Sequence, residues 1–190
     1  MPGKMPIVLF ALAIALMLCQ EIFLKNRERG GVDASRDDGS LKLIAHCRNA
    51  AFLVGIFSAF FPLLPLPGAR SSQWLIGAGL IFAGLLMRFW SIAALGKFYT
   101  NLVAFQQDHK VVKSGPYKFI RHPGYAGAYL VYAGFGVAMG SVIGLVLVMV
   151  LIVYAFQRRI AVEEKVMVEG LGDEYRSYIQ STKKIIPFIY

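Results

Sequence analysis

The 190-residue sequence predicts an all-α integral membrane protein: five transmembrane helices, the N-terminus outside and the C-terminus cytoplasmic. Three observations carry this. The chain is 57% hydrophobic and only 16% charged, with a mean hydropathy of +0.58, against about 45–50% and about 25% for soluble domains. Five apolar segments stand apart from one another. All of the 20 basic residues except Lys4, Arg70 and Arg88 fall in three polar stretches, and five crossings put those stretches on one side, as the positive-inside rule requires.

The first segment covers residues 6–24. It is long for the apolar part of a signal peptide, and no small-residue cleavage site follows it, so it reads as a span. Residues 25–48 carry both signs of charge and a D-A-S-R-D-D-G-S run, which suits a solvated connector. The second span, 49–66, runs into P-L-L-P-L-P, which stops a helix. The third, 73–95, carries Arg88. Residues 96–121 are too polar to span. Residues 123–139 and 142–156 form a tight helical hairpin around Gly140-Ser141. Each arm is short for about 30 Å of hydrocarbon, so the helices extend into their flanks or the bilayer thins. Residues 157–190 begin with Arg158-Arg159, continue as an amphipathic helix, break at Gly170-Leu171-Gly172, and resume with Asp173 as a cap. The chain thus divides into three N-terminal spans, 1–95, and a half that carries the chemistry, 96–190.

The net charge of +9 is explained by loop asymmetry. No continuous basic and aromatic face outside the spans points to nucleic acid. Cys19 and Cys47 lie in or beside apolar segments and form no disulfide framework. No cysteine–histidine spacing indicates a metal.

Polar groups concentrate in residues 115–125, G-P-Y-K-F-I-R-H-P-G-Y. His122 precedes a proline and is biased out of the helical region, while Pro123 suits a first helical position. The fourth span therefore starts at Pro123, with backbone N–H groups near Gly124 to Ala126 facing the cytoplasmic polar layer. Such a terminus attracts carboxylate or phosphate, and Gly124 permits close approach. An interfacial anchoring loop satisfies the same residues. Arg159 and Glu163 share a helix face, with Glu164 one position round. They read either as a surface ion pair worth a few tenths of a kcal/mol or as part of a site with the 115–125 stretch. Arg88 snorkels to the interface or meets a buried acid, Glu21 or Glu163. Gly136, Gly140 and Gly144 indicate packing and turning.

The order H-K-V-V-K-S-G-P-Y-K-F-I-R-H-P-G-Y, a hydrophobic hairpin, then R-R-I-A-V-E-E, G-D-E-Y-R-S-Y and I-P-F-I resembles the isoprenylcysteine carboxyl methyltransferase family. The resemblance covers residues 109–189. Its central G-x-Y-x-x-x-R-H-P-x-Y is shared with a wider group of membrane methyltransferases, including phospholipid N-methyltransferases. No motif is matched in the first three spans. The resemblance implies a cytoplasmic pocket for S-adenosylmethionine, with S-adenosylhomocysteine as product and no Rossmann sheet, and no G-x-G-x-x-G follows a strand-like run. It implies cofactor contacts from Gln106, His109, Lys110, Val111, Val112, Tyr117, His122, Pro123, Gly124, Tyr125 and Glu163. Arg159 would meet the substrate carboxylate, with Arg88 a second candidate on that side. Arg159 and Glu163 are the implied catalytic residues.

The implied reaction is methyl transfer to the α-carboxylate of an S-isoprenylated cysteine, on a protein C-terminus or small analogue, giving a methyl ester. A carboxylate is ionised at neutral pH, so the task is positioning, which contributes about 7–11 kcal/mol in favourable cases. A bidentate arginine suits that task. An amino-lipid N-methyltransferase, which needs a base, is kept open by Glu163-Glu164; a non-enzymatic membrane scaffold is the reading from another class. The polar cofactor would enter from the cytosol and the lipidic acid sideways from the bilayer. The expected location is multi-pass: the plasma membrane in a prokaryote, the endoplasmic reticulum in a eukaryote.

Overall fold

The computed structural model describes residues 10, 11, 14, 15, 19, 37–100, 110–187 and 189–190. From Ser40 onward the described α-helices are α1 (Ser40–Phe60), α2 (Arg70–Leu95), α3 (Pro123–Met139), α4 (Val142–Leu171) and α5 (Asp173–Ser181), and residues 10, 11, 14, 15 and 19 are also helical. Short 3₁₀ turns occupy Gly96–Phe98 and Gly115–Lys118. Among the described residues there is no sheet, only isolated bridges between Pro65 and Ser141 and between Ile120 and Lys183. Most of the first apolar segment, with Glu21, lies outside the described residues.

The second span is displaced from its expected place, starting at Ser40 rather than near residue 49. Asp37 explains this. Its carboxylate accepts from the Ser40 hydroxyl at 3.1 Å and from the Leu41 N–H at 3.0 Å. That satisfies first-turn donors and places negative charge at the positive end of the helix. Asp38 and Gly39 make the turn that folds Asp37 back, with φ of 47° and 69°, a region open to glycine and tolerated by aspartate. The helix stops at Phe60 because Pro62 cannot continue it, so residues 61–66 are irregular rather than spanning.

α2 and α3 are joined by a seam the sequence reading did not pick out. Gly77 and Gly84 on α2 face Gly134 and Gly127 on α3. A methyl group added at Gly77 would lie 2.6 Å from the Gly134 carbonyl oxygen, and one at Gly127 would lie 2.6 Å from the Gly84 carbonyl oxygen. Seven residues are about two helical turns, so each helix brings two bare backbone patches to the same face. The backbones meet directly, as small residues permit between membrane helices.

The hairpin between α3 and α4 forms as expected. Gly140 ends α3 with φ 79°, and Ser141 caps α4 by accepting the Gly144 N–H at 3.1 Å. The residue 61–69 loop is stitched to this turn: Leu66 N–H donates to the Gly140 carbonyl at 3.0 Å, Val142 N–H to the Leu64 carbonyl at 2.9 Å, and the Ser141 hydroxyl to the Leu63 carbonyl at 2.7 Å. Gly136 packs on Leu145 and Gly144 on Ser58, so the spaced glycines do serve packing and turning.

The shortness of the 142–156 arm is resolved by extension. α4 runs unbroken for 30 residues, about 45 Å, through Arg158-Arg159 into the tail. Gly172, at φ 57°, ends it. Asp173 does not cap the next helix. Gly172 takes the cap position, and Asp173 is the first helical residue, paired at the exposed surface with Arg176 at 2.8 Å. α1, α2 with its following turn, and α4 are each long and apolar enough to cross a membrane. α3, with 17 residues, spans about 25 Å and is short of that by itself. This is the architecture of a multi-pass membrane protein. Leu53, Phe57, Phe82, Leu86, Val146 and Val150 are exposed on its flanks, where lipid is the apolar solvent.

Two packed clusters hold the bundle. Ala51 of α1, Ala128, Tyr132 and Phe135 of α3, and Val148, Ile152 and Phe156 of α4 form one, with Phe10 and Ile14 packed on it. Ala78, Ile81 and Leu85 of α2 with Val131 of α3 form the other. The hairpin turn and the 61–69 loop lie at one pole. The start of α1, the start of α3, the far half of α4 and the tail meet at the opposite pole.

Candidate active site

At that second pole, α4 presents Arg159 and Glu163 one turn apart, and the start of α3 faces them. His122 is non-helical, with φ −126° and ψ 56°, and Pro123 is the first residue of α3. Pro123 is fully buried, which fixes where the helix begins. Ala126 N–H is bonded to the His122 carbonyl at 3.1 Å, so it is not among the amides turned outward. Those of Gly124 and Tyr125 remain in the first turn.

Tyr125 donates its hydroxyl to Glu163 Oε2 at 2.9 Å. Its ring lies 5.3 Å from that of Phe156 and 5.8 Å from that of His122. Glu163 is therefore tied to α3 through a residue of the 115–125 stretch, the juxtaposition the sequence suggested.

The surface reading of Arg159 does not hold. Arg159 is only 4% exposed. Its Nη1 donates to Asp37 Oδ1 and, at 2.7 Å, to the Ser40 hydroxyl oxygen. Tyr125 and Glu163 also lie within its electrostatic reach. Asp37 and Ser40 come from the stretch expected to be a connector. The nearest sequence signal for them is an acid followed by Gly-Ser just ahead of an apolar run, which marks a helix start. Nothing local indicates a partner 122 residues away.

Glu164 differs from Glu163 in its partners as well as its direction. Its Oε1 accepts from Arg121 Nε at 2.6 Å and lies 2.9 Å from His122 Nε2. Arg121 Nη1 also donates to the Thr182 carbonyl at 2.9 Å. The tail completes this clamp: Arg121 N–H donates to the Lys183 carbonyl at 2.9 Å and His122 N–H to the Lys184 carbonyl at 3.1 Å. The two carboxylates thus have different partners.

Tyr117 is buried in the 3₁₀ turn, and its carbonyl accepts the Tyr178 hydroxyl at 2.7 Å. Burial and then the Glu163 carboxylate push its hydroxyl pKa well up, so it stays protonated. Lys110, Val111 and Val112 form the irregular lead into this turn, Lys110 exposed and the valines half-buried. Gln106 and His109 lie outside the described residues. Arg88 is half-buried near the end of α2. Its carbonyl accepts the Ser91 hydroxyl at 2.8 Å, and its stem lies against Gly127. Among the described residues no cluster of His, Cys, Asp and Glu could hold a metal ion.

The groups present fit the zwitterionic amino-acid end of a cofactor. Gly124 carries no side chain beside the α3 N-terminus, and the nearest atom to a methyl group built there is Ser91 Oγ at 3.2 Å. The first-turn amides suit a carboxylate, and Glu163 suits an ammonium group.

Residues 72–174 match the phospholipid methyltransferase family. The chain belongs to that family. The matched stretch of this phospholipid methyltransferase family member includes Arg88, Tyr117, His122–Tyr125, Arg159, Glu163 and Glu164; Asp37 and Ser40 lie outside it. The chain is similar to protein-S-isoprenylcysteine O-methyltransferase B of Arabidopsis thaliana, 28% identical over 160 residues, 82% of this chain and 81% of the relative. It is also similar to protein-S-isoprenylcysteine O-methyltransferase of Saccharomyces cerevisiae, 30% identical over 116 residues, 60% of this chain and 48% of the relative. In fold it is similar to a solved eukaryotic intramembrane Ras methyltransferase, an isoprenylcysteine carboxyl methyltransferase, with a TM-score of 0.61 and 22% identity over 76% of this chain. The chain spans about half of that protein's length, 52%.

Proposed function

We propose that this member of the family is a membrane methyltransferase that esterifies the α-carboxylate of an S-isoprenylated cysteine, using S-adenosylmethionine as methyl donor. The observation that carries the reading is a buried guanidinium, Arg159, one turn from Glu163, with Glu163 bonded to Tyr125 at the α3 N-terminus. The names of the relatives, two of them matched over most of the chain, support the substrate class.

In this reading Glu163, Tyr117 and the residues from His122 to Tyr125 hold the cofactor. The His122 clamp to Glu164 fixes the α3 start. Lys110, Val111 and Val112 line the approach, with Gln106 and His109 as further contacts. Arg159 orients the carboxylate, and Arg88 stands on the substrate side. The bound cofactor supplies an electrophilic methyl group. The chain's own work is to bind, orient and exclude water, because an ionised carboxylate needs no general base. The 6–24 segment and α3 complete five spans, with the N-terminus outside and the second pole cytoplasmic. The lipidic acid arrives sideways between helices.

One observation favours a second reading. Arg159 already has a carboxylate partner in Asp37, so Glu163 leaves an excess of negative charge at the site, which suits an amine as in amino-lipid N-methylation. The deciding assay supplies labelled S-adenosylmethionine to purified protein with N-acetyl-S-farnesylcysteine or phosphatidylethanolamine. Alkali-labile label on the farnesylcysteine is expected. Label only on the lipid amine overturns the ester reading in favour of the second.

A further inference from the structure

Arg159 is held by a carboxylate of the chain itself. Its Nη1 spends both hydrogens on residues at the start of α1, one on Asp37 and one on Ser40. Asp37 is itself buried, 7% exposed, and its second oxygen takes the Leu41 N–H. A guanidinium this deep needs a counter-charge, because an uncompensated buried ion is costly. Asp37 supplies it. A substrate carboxylate would need the same guanidinium, and with Asp37 and Glu163 in place it would be a third carboxylate beside one cation. Like charges at that range oppose binding.

We infer that Asp37 is a specificity-determining residue that occupies the carboxylate position on Arg159, so that an acidic substrate binds by exchanging one carboxylate for another. The inference rests on the assignment of Arg159 to the substrate carboxylate. The geometry equips Asp37 for the exchange. It sits ahead of α1, not within it, on a turn formed by exposed Asp38 and Gly39 at positive φ. Without Arg159 it keeps the Leu41 N–H and the positive end of α1 as partners. It also lies outside the stretch matched to the family, residues 72–174, so the N-terminal part of this chain adds it to the site. A ligand that must displace an internal competitor has its apparent affinity reduced by the fraction of molecules in which the site is taken.

The test is calorimetric titration of the intact, detergent-purified protein with N-acetyl-S-farnesylcysteine and separately with its methyl ester, which carries no charge for Arg159 to meet. Asp37→Asn keeps the side chain's shape and removes its charge. The acid is expected to bind about tenfold more tightly to this variant, with ester binding unchanged. Acid binding that is unchanged or weaker, or a gain shared by the ester, overturns the proposal. Arg159→Gln on the Asp37→Asn background is expected to abolish the gain. If Arg159→Gln leaves acid affinity untouched in the parent protein, the assignment of Arg159 fails rather than the exchange. Should Asp37→Asn not accumulate folded, Ser40→Ala loosens Asp37's anchor while keeping both charges. It is expected to tighten acid binding by about threefold, and no gain there overturns the proposal equally.

Discussion

Tyr125 and Glu163 are joined by a 2.9 Å hydrogen bond across 38 residues of sequence, tying the first turn of α3 to the far half of α4. Under the proposed function this contact gives Glu163 and Arg159, which sit on one helix face, different roles. Glu163→Ala is expected to weaken S-adenosylhomocysteine binding at least tenfold, the loss of a charged hydrogen bond being about 1.5–3 kcal/mol. Tyr125→Phe should cost less. Arg159→Ala is expected to retain most cofactor affinity and lose turnover instead. Calorimetry with single-turnover assays separates the two, and equal cofactor binding in Glu163→Ala and Arg159→Ala contradicts the division.

Glu164 is a structural acid. It holds Arg121 at 2.6 Å and His122 at 2.9 Å, so Glu164→Gln should destabilise the fold by about 2 kcal/mol and lower the melting temperature in detergent. The Asp173–Arg176 pair is the control. Its side chains are 92% and 61% exposed, and Arg176→Ala should change stability by less than about 0.5 kcal/mol. A larger effect at Arg176 than at Glu164 would reverse the assignment.

The glycine seam makes a sharper stability prediction. Gly127→Ala and Gly134→Ala each push a methyl group into the backbone of α2, and overpacking of this kind costs about 1–3 kcal/mol. Gly79→Ala lies on the same helix as Gly77 but meets nothing within 4 Å. It should be neutral or stabilising by up to about 1 kcal/mol. Thermal unfolding of the three variants side by side checks this, and a destabilised Gly79→Ala with tolerant seam positions would refute it.

The tail is bonded to the start of α3. Lys183 and Lys184 carbonyls take the N–H groups of Arg121 and His122, the residues that lead into Pro123. Removing residues 183–190 should therefore leave the helical circular dichroism signal close to the parent while cofactor affinity falls by about tenfold or more, at about 1 kcal/mol per lost bond. Unchanged cofactor affinity in the truncated protein would show that the clamp is dispensable.

Much of the bundle is legible because its signals are local. Proline and glycine placement gives the ends of α3 to the residue and the end of α2, since a missing N–H or a positive φ acts on its immediate neighbours. The Tyr125–Glu163 neighbourhood follows from the clustering of charge at one pole. What local pattern does not carry is pairing over distance. Asp37 reads as a solvated acid in a charged run, and its burial depends on Arg159 being brought to it by two intervening helices. The seam is hidden for a related reason: Gly77 and Gly84 are unremarkable alone, and acquire meaning only opposite Gly127 and Gly134. Local charge grouping also misleads at Glu163-Glu164, which are adjacent in sequence but point to different partners.

The unbroken run of α4 has a consequence for how the ligand's two ends are sorted. At about 1.5 Å per residue, Arg159 stands about 26 Å along the axis from Val142, and Glu163 about 32 Å. Elevation along one helix therefore separates apolar Val148 and Ile152 from Arg159 and Glu163, which stand from its start at about the thickness of the hydrocarbon core, about 30 Å. The helix acts as a depth gauge. On the proposed assignment of Arg159 and Glu163, the number of residues between the Ser141 cap and this pair helps set the depth at which the methyl group is transferred.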